Sequence, residues 1–327
     1  MKGRNVIILI VIAVVLSAAA YLSSRKSQQT TPEIEGKKVF PELPLNDITG
    51  IVVRSATTTN EIVRTENRWV AATKYNYPVK TEAVRDLLLN LDDLKVGQLV
   101  TVDGKQRKEL RMIPPDKDSD NTGTSLELFA DSSEPVASLL IGDSMKSGTG
   151  MRSYPVGRYV SPDNGETVYL VSETLDYVSA NIRDWVNTQI VHVPSSEVVG
   201  AVIKGTNRAP ATLTLDKEKE NLVLTDIPED MEVDTTETYS VRSALSYLRF
   251  DDIADPSRTD EELGMNNPSM LEVTTKNGEK YTALIGAKTD TETETRYLRL
   301  SVELLPEAEK TEQSEADDKK DAAAPDA

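Results

Sequence analysis

The sequence predicts an α+β fold: a tandem duplication of a strand-rich unit, each copy with one main helix packed on a mostly antiparallel sheet, preceded by one N-terminal transmembrane helix. Three observations predict it. Residues 126–142 (LELFADSSEPVASLLIG) and 271–286 (LEVTTKNGEKYTALIG) share one pattern: an apolar run, a polar turn, and a second apolar run ending in Ile-Gly, as a β-hairpin requires. The blocks around them recur in the same order: Ile48–Arg54 with Val198–Lys204, Tyr77–Thr81 with Tyr239–Ser243, Glu109–Met112 with Glu262–Met265, and Arg158–Val160 with Arg296–Leu298. Between the first strands and the hairpin, Val84, Leu87, Leu88, Leu91 and Leu94 recur at helical spacing.

The elements follow in order. Val6–Leu22 is almost wholly apolar; 17 residues of helix span about 26 Å, close to the bilayer core of about 30 Å. Two readings stand, an uncleaved anchor and a signal peptide cut near Ala18-Ala19-Ala20. The anchor is preferred because Tyr21-Leu22 prolong the run; residues 1–24 are assigned to it and 25–44 to a polar linker. The first unit spans 45–190. Ile48–Ser55, Glu61–Thr65 and Arg68–Ala71 read as short strands rich in β-branched residues, and Thr81 as the cap of the helix. Arg107–Met112 reads as a helical turn stopped by Pro114-Pro115, Gly157–Val160 and Thr167–Val171 as a hairpin around Pro162-Asp163-Asn164-Gly165, and Glu173–Val186 as a helix. The second unit, 191–305, repeats the order with strands at 198–205, 211–216 and 221–225, a helix near 239–250, a turn at 260–264, the hairpin, and a strand at 296–302. Residues 306–327 hold eight acids against three bases without periodicity and read as a disordered acidic tail.

Several blocks together carry a resemblance to a known family. Asn67-Arg68-Trp69-Val70, Tyr77-Pro78-Val79, the turn before Pro115, the strand ending Ile141-Gly142, Arg158-Tyr159-Val160 and Arg183-Asp184-Trp185 resemble a bacterial membrane-anchored family with a domain of unknown function, associated with Gld-type (gliding-motility-type) ABC transporter components. The resemblance covers about residues 40–302. It departs at Leu110-Arg111-Met112, where the family has Gly-Leu; the second copy has Leu263-Gly264-Met265. It implies ABC transporter components as protein partners. Its motifs are glycines, prolines and packing aromatics, and carry over no catalytic role.

Composition narrows the function. A net charge of −17 repels phosphate backbones and disfavours nucleic acid as a partner. The absence of cysteine removes disulfides, thiol nucleophiles and Cys-based zinc sites. The single histidine, His192, alternates with apolar residues as on a strand. Asp92-Asp93 and Asp251-Asp252 end the two equivalent helices and read as exposed helix ends rather than an acid–base pair. Asp116, Asp118, Asp120 and Glu127 imitate calcium-loop spacing, with Asn121 where glycine is expected; calcium is the one candidate metal, and no other cofactor is expected. Trp69, Tyr77, Arg158 and Tyr159 are the candidate interaction residues, with no catalytic or cofactor-binding residue assigned.

The function expected is a non-enzymatic, single-pass inner-membrane protein with an extracytoplasmic body, serving as a scaffold or binding subunit of an ABC transporter assembly. The alternative is an envelope glycan-binding protein or hydrolase using acidic residues.

Overall fold

The computed structural model describes residues 34–66, 68–115, 121–148, 152–206, 209–225, 234–289 and 295–306. The chain divides into two compact units, Met1–Val186 and Asn187–Ala327.

The first unit carries β1 (Gly50–Arg54), β2 (Thr59–Arg64), β3 (Trp69–Ala71), β4 (Tyr77–Pro78), helix α1 (Thr81–Asp92), β5 (Gln98–Val100), helix α2 (Gly104–Glu109), β6 (Thr124–Phe129), β7 (Pro135–Ser147), β8 (Tyr154–Ser161) and β9 (Val168–Val171). Its sheet runs β4-β3-β2-β1-β6-β7-β8-β9-β5, antiparallel at every described pairing. Ile51 lies opposite Ile62 on one side and Leu128 on the other, and all three are buried. Helix α1 buries Val84, Leu87, Leu88 and Leu91. A second cluster, Met112, Leu140 and Val168 with Val100, Val102, Leu110 and Tyr159, packs beside β7. Leu139, Leu140 and Ile141 are buried in succession, which needs both faces of that strand covered.

The second unit carries β10 (Gln189–Val191), β11 (Val198–Lys204), β12 (Ala211–Asp216), β13 (Asn221–Leu224), helix α3 (Thr235–Ser243), β14 (Leu248–Arg249), β15 (Ser269–Thr275), β16 (Glu279–Ile285) and β17 (Leu298–Leu304). Its main sheet runs β13-β12-β11-β15-β16-β17, and β10 pairs with β14. Val198, Ala201, Leu213, Leu222 and Val273 form its core with Val193 and Leu245.

The order β3-β2-β1-β6-β7-β8 thus corresponds strand for strand to β13-β12-β11-β15-β16-β17. Registers agree as well: Ile141 faces Val160 as Ile285 faces Leu298. A one-turn 3-10 helix after a proline leads into the first strand of each, Leu45–Asp47 after Pro44 and Ser195–Glu197 after Pro194. The stretch before that turn also pairs with the chain beyond the helix: the Val39 N–H donates to the Leu94 carbonyl, and the Val193 N–H to the Leu245 carbonyl. Lys38 bridges to Lys95, and Val39 is buried, so these residues belong to the folded body.

The predicted fold class is corrected. Among the described residues the protein is mostly antiparallel sheet with few, short helices, not an α+β fold with a main helix. Helix α1 has 12 residues, but α3 has nine and ends before Leu248, which leaves for the β14 strand instead. Ser246 turns the chain there by donating its hydroxyl to the Val193 carbonyl (2.9 Å). Glu173–Val186 holds only a 3-10 turn at Ile182–Asp184. Leu175 adopts a left-handed backbone and the Asn181 side chain accepts from the Arg183 N–H, so Leu175, Ile182 and Trp185 are buried one by one rather than along a helical stripe. Thr81 is the first residue of α1, not its cap; Lys80 takes that place, its N–H donating to the Trp185 carbonyl (2.8 Å). No described helix is long and apolar enough to cross a membrane. The 1–24 anchor lies outside the described residues, as does nearly all of the acidic tail.

The Ile-Gly step ties each hairpin to the turn before it. The Asp143 N–H donates to the Leu110 carbonyl, and the Ala287 N–H to the Gly264 carbonyl, both at 2.9 Å. A Cβ at Gly142 would overlap the Leu110 carbonyl oxygen, and one at Gly286 the Leu263 carbonyl oxygen. Gly200, by contrast, has only the Leu213 oxygen at 3.5 Å. Gly142→Ala and Gly286→Ala should therefore each cost about 1–3 kcal/mol of overpacking, and Gly200→Ala under about 1 kcal/mol. Urea unfolding followed by circular dichroism tests the ranking, which equal effects at all three sites would refute.

The β8–β9 loop supplies a pH dependence. Asp163 Oδ1 accepts from the Ser161 hydroxyl and the Thr167 N–H, both at 2.7 Å. Partial burial opposes ionisation of Asp163, but these bonds outweigh it and hold its pKa below the ordinary carboxylate value. A depressed folded pKa adds stability above the unfolded pKa and loses it as pH falls through the folded value. Asp163→Asn should thus destabilise at pH 7 and by progressively less below about pH 4. Urea midpoints across that range check it; a constant difference from the wild type would contradict it.

Candidate functional site

The first unit carries three surface depressions lined by candidate residues. The first, about 990 Å³, lies between the β1–β2 turn (Arg54–Thr59) and Lys108, Ile113, Pro114 and Pro115. Arg54 is committed there to Glu127 across the strand pair, at 2.7 Å. Glu127 is therefore a strand residue bound to a cation. Asp116, Asp118 and Asp120 lie outside the described residues. Among the described residues, no three His, Cys, Asp or Glu side chains gather as a metal ion would need.

The second, about 210 Å³, surrounds Arg158 with Arg111, Thr122, Thr124, Gly142, Asp143 and Asp176. Arg158 is one-fifth exposed, and its guanidinium donates to the carbonyls of Thr174 (2.6 Å) and Gly142 (3.2 Å) and to Asp176 (2.5 Å). The Gly142 carbonyl is available because β7 shifts register between Ile141 and Ser144. Arg296 repeats the contact in the second unit, donating to the Gly286 carbonyl (3.1 Å). An arginine that closes the Ile-Gly step in both units is a scaffold residue. Arg111 adopts φ +54° where Gly264 has +64°, so it occupies a left-handed position that glycine fills without strain. Tyr159 packs into the Met112–Leu140–Val168 cluster and offers little to a partner.

The third depression is a groove of about 430 Å³ beside α1. Ile48, Val84 and Leu88 are buried and make its floor; Trp69, half-buried, makes one wall. Leu89 is 49% exposed at the margin, with the exposed guanidinium groups of Arg64 and Arg85. The Arg64 guanidinium donates to the Asn46 carbonyl (3.3 Å) and Arg85 pairs with Asp86 (2.9 Å), both on exposed positions. This is an apolar slot with a cationic rim. Tyr77 sits on β4 opposite Ala71 and does not line it. Sequence reasoning found Trp69 but missed Arg64, Arg85 and Leu89. Arg85 and Leu89 share one side of α1 at a spacing of four, a signal the core stripe of the same helix masked.

The histidine and the carboxylate pairs are absorbed by structural contacts or lie at the surface. His192 Nδ1–H donates to the Ser246 carbonyl, and its ring lies 5.5 Å from that of Tyr247. Asp92 pairs with Lys38 at 2.7 Å, and Asp93 caps α1, its N–H donating to the Leu89 carbonyl. Asp251 and Asp252 are exposed.

A family model described as a domain of unknown function, DUF4340, matches residues 69–268, from β3 of the first sheet to the residue before β15 of the second. No curated protein is significantly similar to the chain.

The Arg158 contacts generate a stability prediction. Arg158→Lys cannot serve two carbonyls and a carboxylate from one ammonium, and should cost the first unit about 1–3 kcal/mol. Asp176→Asn, with Asp176 two-thirds exposed, should cost under about 1 kcal/mol. Both tryptophans, Trp69 and Trp185, belong to the first unit, so tryptophan fluorescence in urea reads that unit alone. A larger loss for Asp176→Asn would assign the arginine's effect to the exposed ion pair instead.

Proposed function

Since the chain belongs to the DUF4340 family, a domain of unknown function, we propose that it is a non-catalytic, membrane-tethered extracytoplasmic binding subunit, and that its partner is a component of an ABC transporter assembly. The observation that carries this reading is the Trp69 groove, with its apolar floor and the guanidinium groups of Arg64 and Arg85 at its rim. Such a slot suits an apolar side chain flanked by acidic neighbours on a partner segment. Its making needs no titratable group tuned for proton transfer. The apolar run Val6–Leu22 supports a tether, which would raise the effective concentration of the groove beside membrane partners. The motif resemblance to families that accompany Gld-type transporters supports the choice of partner class.

A membrane-impermeant, amine-reactive crosslinker applied to intact spheroplasts tests location and partner together. An adduct between the full-length protein and a transporter component is expected, reduced several-fold by Leu89→Asp, which places a carboxylate in the lining that holds Arg64 and Arg85, at a half-exposed position. Labelling by a permeant reagent alone would put the body inside and overturn the location. Adducts lacking a transporter component, or insensitive to Leu89→Asp, would overturn the partner and the groove respectively.

A further inference from the structure

The main sheet of the second unit ends on β17, whose one described neighbour is β16. The first unit closes the outer side of the equivalent β8 with β9. Natural edge strands are usually short, charged, bulged or covered, because their unpaired N–H and C=O groups template further pairing. β17 is seven residues long and runs in unbroken register with β16, from Ile285 opposite Leu298 to Glu279 opposite Leu304.

Backbone alternation shows which groups are free to pair. The Gly286 N–H donates to the Tyr297 carbonyl and the Leu305 N–H to the Gly278 carbonyl. In an antiparallel ladder the bonded positions alternate, so Arg299, Ser301 and Glu303 turn their backbone groups toward β16. The N–H and C=O groups of Leu298, Leu300, Val302 and Leu304 point outward. The side chains of these same four residues share one face of the strand, where Val302 is 60% and Leu304 73% exposed. The opposite face carries Arg299, Ser301 and Glu303.

We propose that β17 pairs with β17 of a second copy of this chain, antiparallel across a two-fold axis at Ser301, joining two sheets into one. In that register Leu298 faces Leu304 and Leu300 faces Val302 of the second copy. These are the positions whose backbone groups point outward, so they form the hydrogen-bonded pairs. Arg299 faces Glu303, and by symmetry Glu303 faces Arg299, in the closer non-hydrogen-bonded pairs where cross-strand side chains interact most. A slip of two residues in either direction keeps the backbone bonds but breaks both ion pairs, so charge selects the register. The strand is self-complementary, as an isologous interface demands. Arg299 now bonds Asp260 and Glu303 bonds Lys280, but both side chains are more than half exposed and can share a neighbour one strand away.

This pairing extends the docking reading to homotypic assembly and does not use the Trp69 groove. The test uses the full-length chain, which has no native cysteine. Ser301→Cys would place two thiols across the axis with Cα atoms about 4.5 Å apart, within disulfide reach. Mild oxidation of membranes carrying it should give a linked dimer, and the exposed control Thr57→Cys should not. In detergent, sedimentation should show wild-type dimer. Arg299→Glu and Glu303→Arg, each creating two like-charge pairs, should weaken it about tenfold, and the double variant, which restores both pairs in reverse, should recover it. Val302→Pro removes an outward N–H while sparing the β16 ladder, and should also give monomer. A monomeric wild type, equal linkage of the two cysteine variants, or a double variant as weak as the singles would overturn the proposal. Loss of the dimer with the transporter adduct intact separates this inference from the function proposed above.

Discussion

Each unit depends on one close approach: a turn carbonyl pressed against a strand position that has no side chain. Gly142 and Gly286 leave room for the carbonyls of Leu110 and Leu263, and the next residue along each strand donates its N–H to the same turn. The glycine's own carbonyl then faces outward and is bonded by Arg158 or Arg296. Glycine, turn and arginine thus fix where Met112 and Met265 enter the interior, and both are buried. The rest of each sheet can vary, with nine described strands in one and six in the other, because this joint sets the register between the turn and the hairpin's second strand.

What was legible in the sequence was whatever repeats at a period of two and ends on a residue with a single role. The hairpins, the Ile-Gly steps and the Arg-Tyr strands are of this kind, and their registers coincide in the two units. The structure holds less helix than the sequence pattern predicts. Between Glu173 and Val186 the apolar residues are spaced closely enough to suggest a helix, yet each is buried by a separate turn, a tertiary outcome that spacing alone does not encode. Ser246 and Leu248 likewise look helical in isolation, but partners more than 50 residues away draw Ser246 into a turn and Leu248 into β14. β5 is not legible in the sequence because three residues on a sheet edge, Gln98–Val100, carry almost no alternation.

The candidate groove was half legible for a related reason. An aromatic residue on a short strand stands out; the cations around it come from β2 and α1 and acquire meaning only when folding brings those elements together. The calcium spacing shows the opposite case: Glu127, the residue that completes it, belongs to a strand and answers to Arg54.

The bond from the Lys80 N–H to the Trp185 carbonyl joins the start of α1 to the end of the first unit, and β5 waits similarly for β9. Contacts of such long sequence separation make folding slow, since the loop must close before any gain is realised. A chain emerging from its N-terminus can assemble the β1–β3 meander early, but pairs the outer sides of β8 and β5 only once β9 is present, and makes the Lys80 bond only once Trp185 is. Until β9 is present, the outer edge of β8 stays unpaired. The first sheet is thus completed by a strand that returns from far along the sequence, a step for which the second sheet, ending on β17, has no described counterpart.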